Sequence, residues 1–236
     1  MEAQVYTHNG PFRLETGHTL PELRIAYHTY GTPNAARDNV VWVCHALTAN
    51  SDVADWWPHT VEKGRFLDPA RHFVVCANIL GSHYGTTGPM HVNPATGRPY
   101  YRDFPPFTIR DMVHAHRLLA DALEPPAALP ARFDLIVSNP PYLTAEEMAE
   151  LQPEVAKEPA MALDGGADGL FFYRALTKAY AGRLGPGGML AYEIGMGQEG
   201  QVSEILHNSG LDFICQTPDL HGIIRVVTAK NKFSSK

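Results

Sequence analysis

The four residues Asn139, Pro140, Pro141 and Tyr142 are the strongest chemical signal in this sequence of 236 residues. They follow Phe133–Ser138, an apolar run that predicts a buried strand. Two consecutive prolines predict a rigid, extended turn at the carboxyl end of that strand. There the asparagine oxygen and a proline carbonyl can hold both hydrogens of a planar –NH₂ group, while the tyrosine offers a face for stacking. Such positioning turns the electron density of an amide nitrogen towards an electrophilic methyl group without a general base.

We therefore predict that all four residues are catalytic, and that Asn139 and Tyr142 bind the substrate. The alternative is a proline-rich turn that only ends a strand.

A second candidate site lies in loops of the first half. Asn39–Cys44 and Phe73–Ile79 are continuous apolar runs, which predict strands buried on both faces of a parallel sheet. The segments His45–Asn50, with Ser51–Trp57 directly after it, and Gly81–Pro89 are rich in polar and aromatic residues and leave the carboxyl ends of these strands. Ligands of open α/β sheets bind at such ends, so the loops are a candidate binding site. The alternative is a set of ordinary connections anchored by buried tryptophans.

The elements that must position these segments predict an α/β fold. Leu23–Tyr30 alternates and predicts a strand, and Thr108 predicts the cap of a helix. The apolar stripe of that helix consists of Ile109, Met112, Val113, His116, Leu119 and Leu123. The second half predicts helices at Ala145–Leu151, Asp168–Leu184 and Val202–Asn208, and strands at Met189–Ile194, Asp212–Gln216 and Ile223–Thr228. Strands alternating with helices predict a doubly wound, mostly parallel sheet, although little chain separates the last two strands and predicts that they are antiparallel.

A proline-rich segment divides the sequence. Residues 124–131 contain Pro125, Pro126 and Pro130, and they predict a connection because proline removes backbone donors and blocks helices. The predicted organisation is a first part at 1–123, the seam at 124–131 and a second part at 132–236.

Composition narrows the class of protein. The formal net charge is −6 and no basic run is present, so we expect no nucleic-acid partner. The apolar runs fall short of the roughly 20 residues of a membrane helix, and no signal peptide is predicted, so we expect no membrane partner. The three cysteines lie in apolar runs, which favours a reducing, cytoplasmic location. His114 and His116 are two apart on a helix and face apart, so we predict no metal site.

The first half resembles the N-terminal part of the homoserine O-acetyltransferases, which are α/β-hydrolase-fold acyltransferases. The resemblance covers about Phe12 to Leu123 and rests on the segments Ala26–Gly31, Cys44–Thr48, Ala77–Ser82, Gly85–Pro89 and Phe107–Met112. It implies acetyl transfer from acetyl-CoA to homoserine, a step of methionine biosynthesis, through an acyl-serine intermediate. It also implies that the backbone N–H of Leu47 helps to form an oxyanion hole.

The nucleophile that this resemblance requires is missing. An α/β hydrolase carries its serine in a G-x-S-x-G elbow, and that pattern does not occur in the chain. Ser138, Asp219 and His221 follow one another in the order of a triad. However, Ser138 has Ile136 and Pro140 where the elbow needs small residues, so we do not expect a replacement triad.

The second half resembles the C-terminal part of the release-factor glutamine methyltransferases. The resemblance covers about Arg132 to Phe233 and rests on Phe133–Tyr142, Glu158-Pro159, Ala162-Leu163, Gly165–Leu170, Phe172–Arg174, Pro186–Gly188, Glu193–Gly195 and Arg225–Val227. It implies methylation of a glutamine side-chain amide in a peptide chain release factor, with S-adenosylmethionine as methyl donor. It places Asn139 and Tyr142 around the glutamine and Asn139 also near the cofactor.

The methyl-donor loop of this family is missing, because it belongs upstream of Asn139, where the sequence is hydrolase-like. A literal G-x-G-x-x-G occurs at Gly195–Gly200, with Asp212 at nearly the distance of a ribose-binding acid. That acid precedes its predicted strand instead of ending it, which argues against a dinucleotide site.

These observations predict a composite of a partial hydrolase half and a partial Rossmann-like methyltransferase half, without a complete active site. The best-preserved chemistry is predicted to be that of the glutamine N5-methyltransferases, with a release factor as partner. The alternative is a homoserine O-acetyltransferase-like protein that takes homoserine and acetyl-CoA but lacks the serine, aspartate and histidine of the triad. Self-association through an unfinished sheet edge is a further expectation.

Overall fold

The computed structural model describes residues 2–46, 49–123, 132–153, 155–157 and 160–232. The chain divides into two compact units, Met1–Leu129 and Pro130–Lys236. The proline-rich seam predicted at 124–131 lies outside the described residues. The domain boundaries drawn from it stay a prediction.

The first unit contains a four-stranded sheet with the order β1-β4-β6-β5. Its strands are β1 (Gln4–His8), β4 (Leu23–Tyr30), β5 (Val40–Val43) and β6 (Phe73–Ala77). β4 is antiparallel to both β1 and β6, whereas β5 runs parallel to β6. Two small antiparallel pairs complete the strands, β2 (Phe12–Arg13) with β3 (Thr19–Leu20) and β7 (Val92–Asn93) with β8 (Arg98–Pro99).

Two α-helices belong to this unit, α1 (Val53–Trp56) and α2 (Ile109–Ala122), with a 3₁₀ turn at Tyr101–Asp103. The predicted cap of α2 is confirmed: the Thr108 side chain accepts from the N–H of Asp111, and the Asp111 carboxylate accepts from the N–H of Thr108. Asp111 also accepts from the N–H of Glu15, at 2.9 Å, which ties the start of the helix to the β2–β3 region.

The buried face of α2 is narrower than predicted. Ala115 and Leu119 are fully buried in one core cluster with Leu20, Leu23 and Ile25. Ile109 and Val113, which the sequence placed in the apolar stripe, are 60% and 59% exposed. They lie to the side of the narrow face that carries Ala115 and Leu119. An apolar residue of this helix is therefore buried only if it lies on that face.

The second unit contains another four-stranded sheet, with the order β11-β12-β10-β9. Its strands are β9 (Phe133–Ser138), β10 (Leu184–Glu193), β11 (Asp212–Pro218) and β12 (Ile224–Lys230). Its α-helices are α3 (Ala145–Ala149), α4 (Phe171–Tyr180) and α5 (Glu199–Asn208), with 3₁₀ turns at Val155–Lys157, Ala160–Ala162 and Ala181–Arg183. β9 is parallel to β10, and β12 is antiparallel to β10 and β11, so the predicted antiparallel closing pair is confirmed.

The core of this unit lies between its sheet and the helices α4 and α5. Tyr173, Tyr192, Leu190 and Leu206 have no exposed surface there, and the rings of Tyr173 and Tyr192 meet edge to face at 5.3 Å. The glycine-rich segment Gly185–Gly188 was predicted to end the preceding helix. It lies instead within β10, where the register with β9 shifts between Leu184 and Met189.

The fold class is α/β, as predicted, but the sheet is not the doubly wound, mostly parallel one that the sequence indicated. Apart from the two small antiparallel pairs, the described strands form two four-stranded mixed sheets, and each has one parallel pair and two antiparallel pairs. The error has a physical reason, because an apolar run reports burial and not strand direction. β5 and β9, predicted to be buried on both faces, are edge strands, and Val40 and Val137 are 37% and 59% exposed.

The cysteines are less buried than their apolar neighbours suggested. Cys76 is buried in β6, whereas Cys44 and Cys215 are exposed, and all three are free thiols. No helix within the described part of the chain has the length and apolar character needed to cross a membrane.

Candidate functional site

A polar cavity of about 290 Å³ lies at the carboxyl end of the parallel pair β5–β6. It is lined by Ala3, His28, Asn50, Ser51, Asp52, Asp55, Asn78 and Tyr84. Two carboxylates are among these described residues, and none of them is lysine or arginine. The cavity is therefore suited to a neutral or cationic polar ligand.

Three elements bring the central side chains of the cavity together. His28 lies on β4 opposite Cys76, next to the last residue of β6. Asn78 follows β6 directly, and its N–H donates to the carbonyl of Ala26 at 2.9 Å. Ser51 lies on the loop that leaves β5 and precedes α1. The carboxyl-end location thus agrees with the general rule for open α/β sheets, which the loops of the first half were predicted to follow.

Ser51 is the centre of a buried hydrogen-bond network. Its hydroxyl lies 2.8 Å from Nδ1 of His28, and it accepts from Nδ2 of Asn78 at 2.9 Å. Asn78 Nδ2 also donates to the carbonyl of Tyr84 at 2.9 Å, which fixes the orientation of the amide because a carbonyl can only accept. The other amide atom, Oδ1 of Asn78, is buried and has no hydrogen-bond partner among the described residues.

The far side of the His28 ring faces a carboxylate. Nε2 of His28 lies 3.9 Å from Oδ2 of Asp52, and the Tyr30 hydroxyl donates to Oδ1 of Asp52 at 2.5 Å. Burial acts to raise the pKa of Asp52, but the hydrogen bond from Tyr30 and the nearby His28 lower it, and the net shift is downward. Asp52 is therefore ionised at neutral pH, and a negative charge faces the imidazole.

Two further histidines lie near the ends of β5 and β6. Nε2 of His116, on α2, lies 3.3 Å from the carbonyl of Asn78, and its ring lies 5.7 Å from that of Trp42. Burial lowers the pKa of His116 and the pKa of His45 at the end of β5. Both imidazoles are therefore neutral at pH 7.

Leu47, the residue whose N–H is predicted to help form an oxyanion hole, lies outside the described residues. That role stays a prediction. The neighbouring Asn50 is placed by α1, because its carbonyl accepts from Nε1 of Trp56 at 2.8 Å.

The predicted methyltransferase turn follows β9 in the second unit. Asn139 is exposed, Pro140 is buried, and Pro141 and Tyr142 are half-buried. The Tyr142 side chain packs against the core cluster of this unit. The catalytic and binding roles predicted for these four residues remain untested by the geometry.

Gln198 holds this turn in place. Its Nε2 donates to the carbonyl of Tyr142 at 2.9 Å, and its Oε1 accepts from the N–H of Gly195 at 3.0 Å and lies 3.4 Å from the Tyr173 hydroxyl. Gly169 has a φ of +69°, and a side chain there would strike Gln198 and the Tyr142 carbonyl. The N–H of Gly195, the first glycine of the G-x-G-x-x-G segment, therefore already has a hydrogen-bond partner within the chain, Oε1 of Gln198.

The other sequence candidates are not brought into a site. Asp212 is the first residue of β11, and its carboxylate lies 3.2 Å from Nζ of Lys232. Asp219 accepts from the N–H groups of His221 and Ile223, so its carboxylate closes the β11–β12 turn. Ser138 ends β9, two strands away from β12, which is roughly 10 Å at the usual strand spacing.

His28, Ser51 and Asn78 were not predicted from the sequence as a group. Each lies in or beside a segment that carries the acetyltransferase resemblance, but Ser51 does not stand in the G-x-S-x-G pattern that predicts a serine nucleophile. A polar residue inside an apolar strand, such as His28 in β4, was the available signal.

No family model matches the chain. Curated relatives match its first half: the homoserine O-acetyltransferase of Chlorobaculum tepidum is 54% identical over 120 residues, which are 51% of this chain and 34% of the relative. That of Moorella thermoacetica is 53% identical over 47% of this chain and 32% of the relative. The chain therefore spans about a third of the length of these relatives.

Solved structures give weaker likenesses. A mutant of esterase E22 matches with a TM-score of 0.50 and 23% identity, over 78% of this chain and 45% of the esterase, which supports the α/β fold alone. The homoserine O-acetyltransferase of Bacillus anthracis matches with a TM-score of 0.49 and 28% identity, over 59% of this chain and 40% of that chain. A protein-(glutamine-N5) methyltransferase from Alicyclobacillus acidocaldarius matches with a TM-score of 0.30 and 22% identity, over 53% and 60% of the two chains, which is too low to support an argument.

The resemblance of the first half to the homoserine O-acetyltransferases is confirmed by the curated relatives, and a protein-(glutamine-N5) methyltransferase also occurs among the matching solved structures. The function predicted as the main one, glutamine N5-methyltransferase chemistry, is wrong. Relatives at 47–54% identity are homoserine O-acetyltransferases, so the glutamine methyltransferase chemistry is not the better-supported one. S-adenosylmethionine as cofactor has only that weak structural likeness behind it, and a release factor as partner gains no support.

Proposed function

We propose that the chain has a function of the homoserine O-acetyltransferase type, in which the first unit binds homoserine and the acetyl group of acetyl-CoA at the β5–β6 cavity. The observation that carries the proposal is the identity of 47–54% to homoserine O-acetyltransferases over about half of the chain. His28 and Asn78 of the cavity lie within two of the segments that carry this resemblance.

The chemistry of the cavity supports homoserine as a ligand. Homoserine carries a cationic ammonium group and a hydroxyl group. The carboxylates of Asp52 and Asp55 suit the ammonium group, and the polar groups of Ser51 and His28 suit the hydroxyl. The G-x-S-x-G elbow is missing from the chain, so this proposal concerns binding and acetyl transfer without that elbow. A cytoplasmic location belongs to the same proposal.

The test combines binding and turnover. Amide NMR spectra of the whole chain are recorded with L-homoserine and with acetyl-CoA, and O-acetyl-L-homoserine is measured by mass spectrometry after both are mixed. We expect shifts at the N–H groups of Asn78 and Tyr84, and formation of the acetyl ester above the rate without protein. Spectra that do not change with either compound would refute the proposal.

A matched pair of variants locates the binding site. Asp55 is exposed at the rim of the cavity, so Asp55→Asn preserves the fold while removing one charge. We expect it to weaken homoserine binding by about 2- to 5-fold, the effect of one exposed charge pair. Asp134→Asn, at an exposed position on β9, is the control and leaves binding unchanged.

A further inference from the structure

The first unit contains a serine, an imidazole and a carboxylate in the relation of an activated nucleophile. Ser51 Oγ lies 2.8 Å from Nδ1 of His28, and Asp52 Oδ2 lies 3.9 Å from Nε2 on the other side of the ring. A nucleophile within hydrogen-bond reach of a base, with the base oriented by a third group, is the geometric signature of such a site, whatever the sequence order. All three groups line the cavity of about 290 Å³.

We propose that Ser51 is the residue that accepts the acetyl group, with His28 as its base and Asp52 as the residue that positions and stabilises the imidazole. This inference rests on the proposed function for its acyl donor and acceptor, and it supplies the nucleophile that the missing elbow would have carried.

The hydrogen-bond directions agree with this assignment. Asn78 Nδ2 must donate to Ser51 Oγ, because the same amide nitrogen donates to the Tyr84 carbonyl. The Ser51 hydroxyl hydrogen is then available for Nδ1 of His28. This places the imidazole hydrogen on Nε2, on the side of the Asp52 carboxylate. The serine proton thus already points at the atom that must receive it.

The reaction can be balanced with these groups. Ser51 Oγ attacks the thioester carbonyl carbon of acetyl-CoA, and its proton passes to Nδ1 of His28. The C–S bond breaks, and the coenzyme A thiolate takes that proton. The homoserine hydroxyl then attacks the ester carbonyl of acetyl-Ser51 and gives its proton to His28. The bond between the acetyl carbon and Ser51 breaks, and Oγ takes the proton back.

The surroundings favour transfer to an alcohol over hydrolysis. Ser51 has no exposed surface and His28 is 6% exposed, so bulk water does not surround the acetyl-serine. The donor and the acceptor reach these side chains from the cavity that Ser51 and His28 line together with Tyr84.

The experiment is acetyl labelling of the intact chain. The chain is incubated with acetyl-CoA and, separately, with p-nitrophenyl acetate, an acyl donor that does not require a coenzyme A site. The reaction is quenched in acid, and the modified residue is identified by peptide mass spectrometry. We expect one acetyl group on Ser51 with each donor, and its removal when L-homoserine is added.

Variants separate a chemical role from a structural one. Ser51→Ala should lose the label, and Ser51→Cys should restore an acyl acceptor at the same position. His28→Gln keeps a polar side chain but no base, and we expect the labelling rate to fall by about 10²- to 10⁴-fold. Ser209→Ala, at an exposed position after α5, is the matched control and should label like the unaltered chain. Circular dichroism verifies that each variant is folded.

The outcomes distinguish the two proposals. An acetyl group on another residue, or none with either donor, overturns the assignment of Ser51 even if acetyl-CoA and homoserine bind. A label on Ser51 from p-nitrophenyl acetate, with no shift caused by acetyl-CoA, keeps the nucleophile and overturns the proposed substrates.

Discussion

Each unit has a buried polar side chain beyond the carboxyl end of its parallel pair of strands, and the two side chains differ in their hydrogen bonds. In the first unit, Asn78 follows β6 at the carboxyl end of the parallel pair β5–β6. In the second unit, Gln198 follows β10 at the carboxyl end of the parallel pair β9–β10. Both side chains are buried, at 1% and 8% exposure. Asn78 lines a cavity and retains a buried oxygen that has no partner in the described part of the chain, whereas both ends of Gln198 are bonded to the chain.

The difference separates a binding site from a structural connection. A buried polar group whose bonds are all made by its own chain stabilises one conformation. A group with unused capacity beside a cavity carries a cost that a ligand can offset. The carboxyl ends of the strands therefore mark where a binding site can form. The number of hydrogen bonds that a buried polar side chain there already makes within its own chain indicates whether the place is suited to a ligand.

The largest expected effect concerns Gln198. Gln198→Leu leaves the Tyr142 carbonyl and the Gly195 N–H without partners in a buried place, so we expect a loss of about 2–4 kcal/mol in the free energy of unfolding. Gln201→Leu is the matched control at an exposed position of α5, the helix that begins directly after Gln198, and should change stability by no more than about 0.5 kcal/mol.

The measurement is hydrogen exchange followed by mass spectrometry, which reports each unit separately. Peptides of β9, β10 and α5 should lose protection in Gln198→Leu. If both variants exchange alike, Gln198 is not the structural connection that the comparison makes it.

The sequence predicted the bounds of the strands of both units more accurately than their directions. Leu23–Tyr30 and Phe133–Ser138 have the predicted bounds because side-chain pattern and turn residues are local properties. That β4 pairs antiparallel with β6 depends on pairing between distant segments, which no local pattern specifies. The helix predicted from Asp168 begins only at Phe171, since Asp168 Oδ1 accepts from the N–H of Leu170 in a local turn.

The candidate site was predictable in place but not in composition. The loops after β5 and β6 were identified from the ends of apolar runs. His28 was not, because it is brought to the cavity by the antiparallel pairing of β4. Gln198 was overlooked for a related reason: its partners Tyr142 and Gly169 lie far away in sequence.

A smaller expected effect is the pH dependence of the stability of the first unit. Burial lowers the pKa of His45 and of His116 from the ordinary value of 6.5, so the unfolded chain binds more protons than the folded first unit. Their contribution to stability is complete above about pH 6.5 and is lost as the pH falls below it. Trp42, Trp56 and Trp57, the three tryptophans of the chain, all lie in the first unit, so urea unfolding followed by tryptophan emission reports that unit.

His116→Gln sharpens this test, because glutamine can donate to the Asn78 carbonyl without titrating. We expect a shallower dependence of the unfolding midpoint on pH between about 7.5 and 5. His114→Gln, exposed on the same helix, should keep the original slope. Equal slopes in all three proteins would mean that the buried imidazoles do not set the acid sensitivity of the first unit.

The smallest expected effect lies on the surface of the second unit. Arg174 donates two hydrogen bonds to Asp168, at 2.8 and 2.9 Å, and these bonds lower the pKa of Asp168 to about 2. Both side chains are about half exposed, so solvent screening reduces the contribution of the pair. We expect Arg174→Gln to cost about 0.3–1 kcal/mol at low salt, and the loss to shrink at high salt.

The pH dependence of this stabilisation follows from the lowered pKa of Asp168. The pair stabilises the fold above about pH 4, and this contribution disappears as the pH falls towards 2. Urea unfolding at low and high salt, followed by far-ultraviolet circular dichroism, measures it, with Lys178→Gln on the same helix as control. A loss as large as that of Gln198→Leu would show that an exposed ion pair stabilises the second unit as much as the buried glutamine does. The contrast between the two units would then not depend only on the buried hydrogen bonds of Gln198, because a surface charge pair would contribute equally.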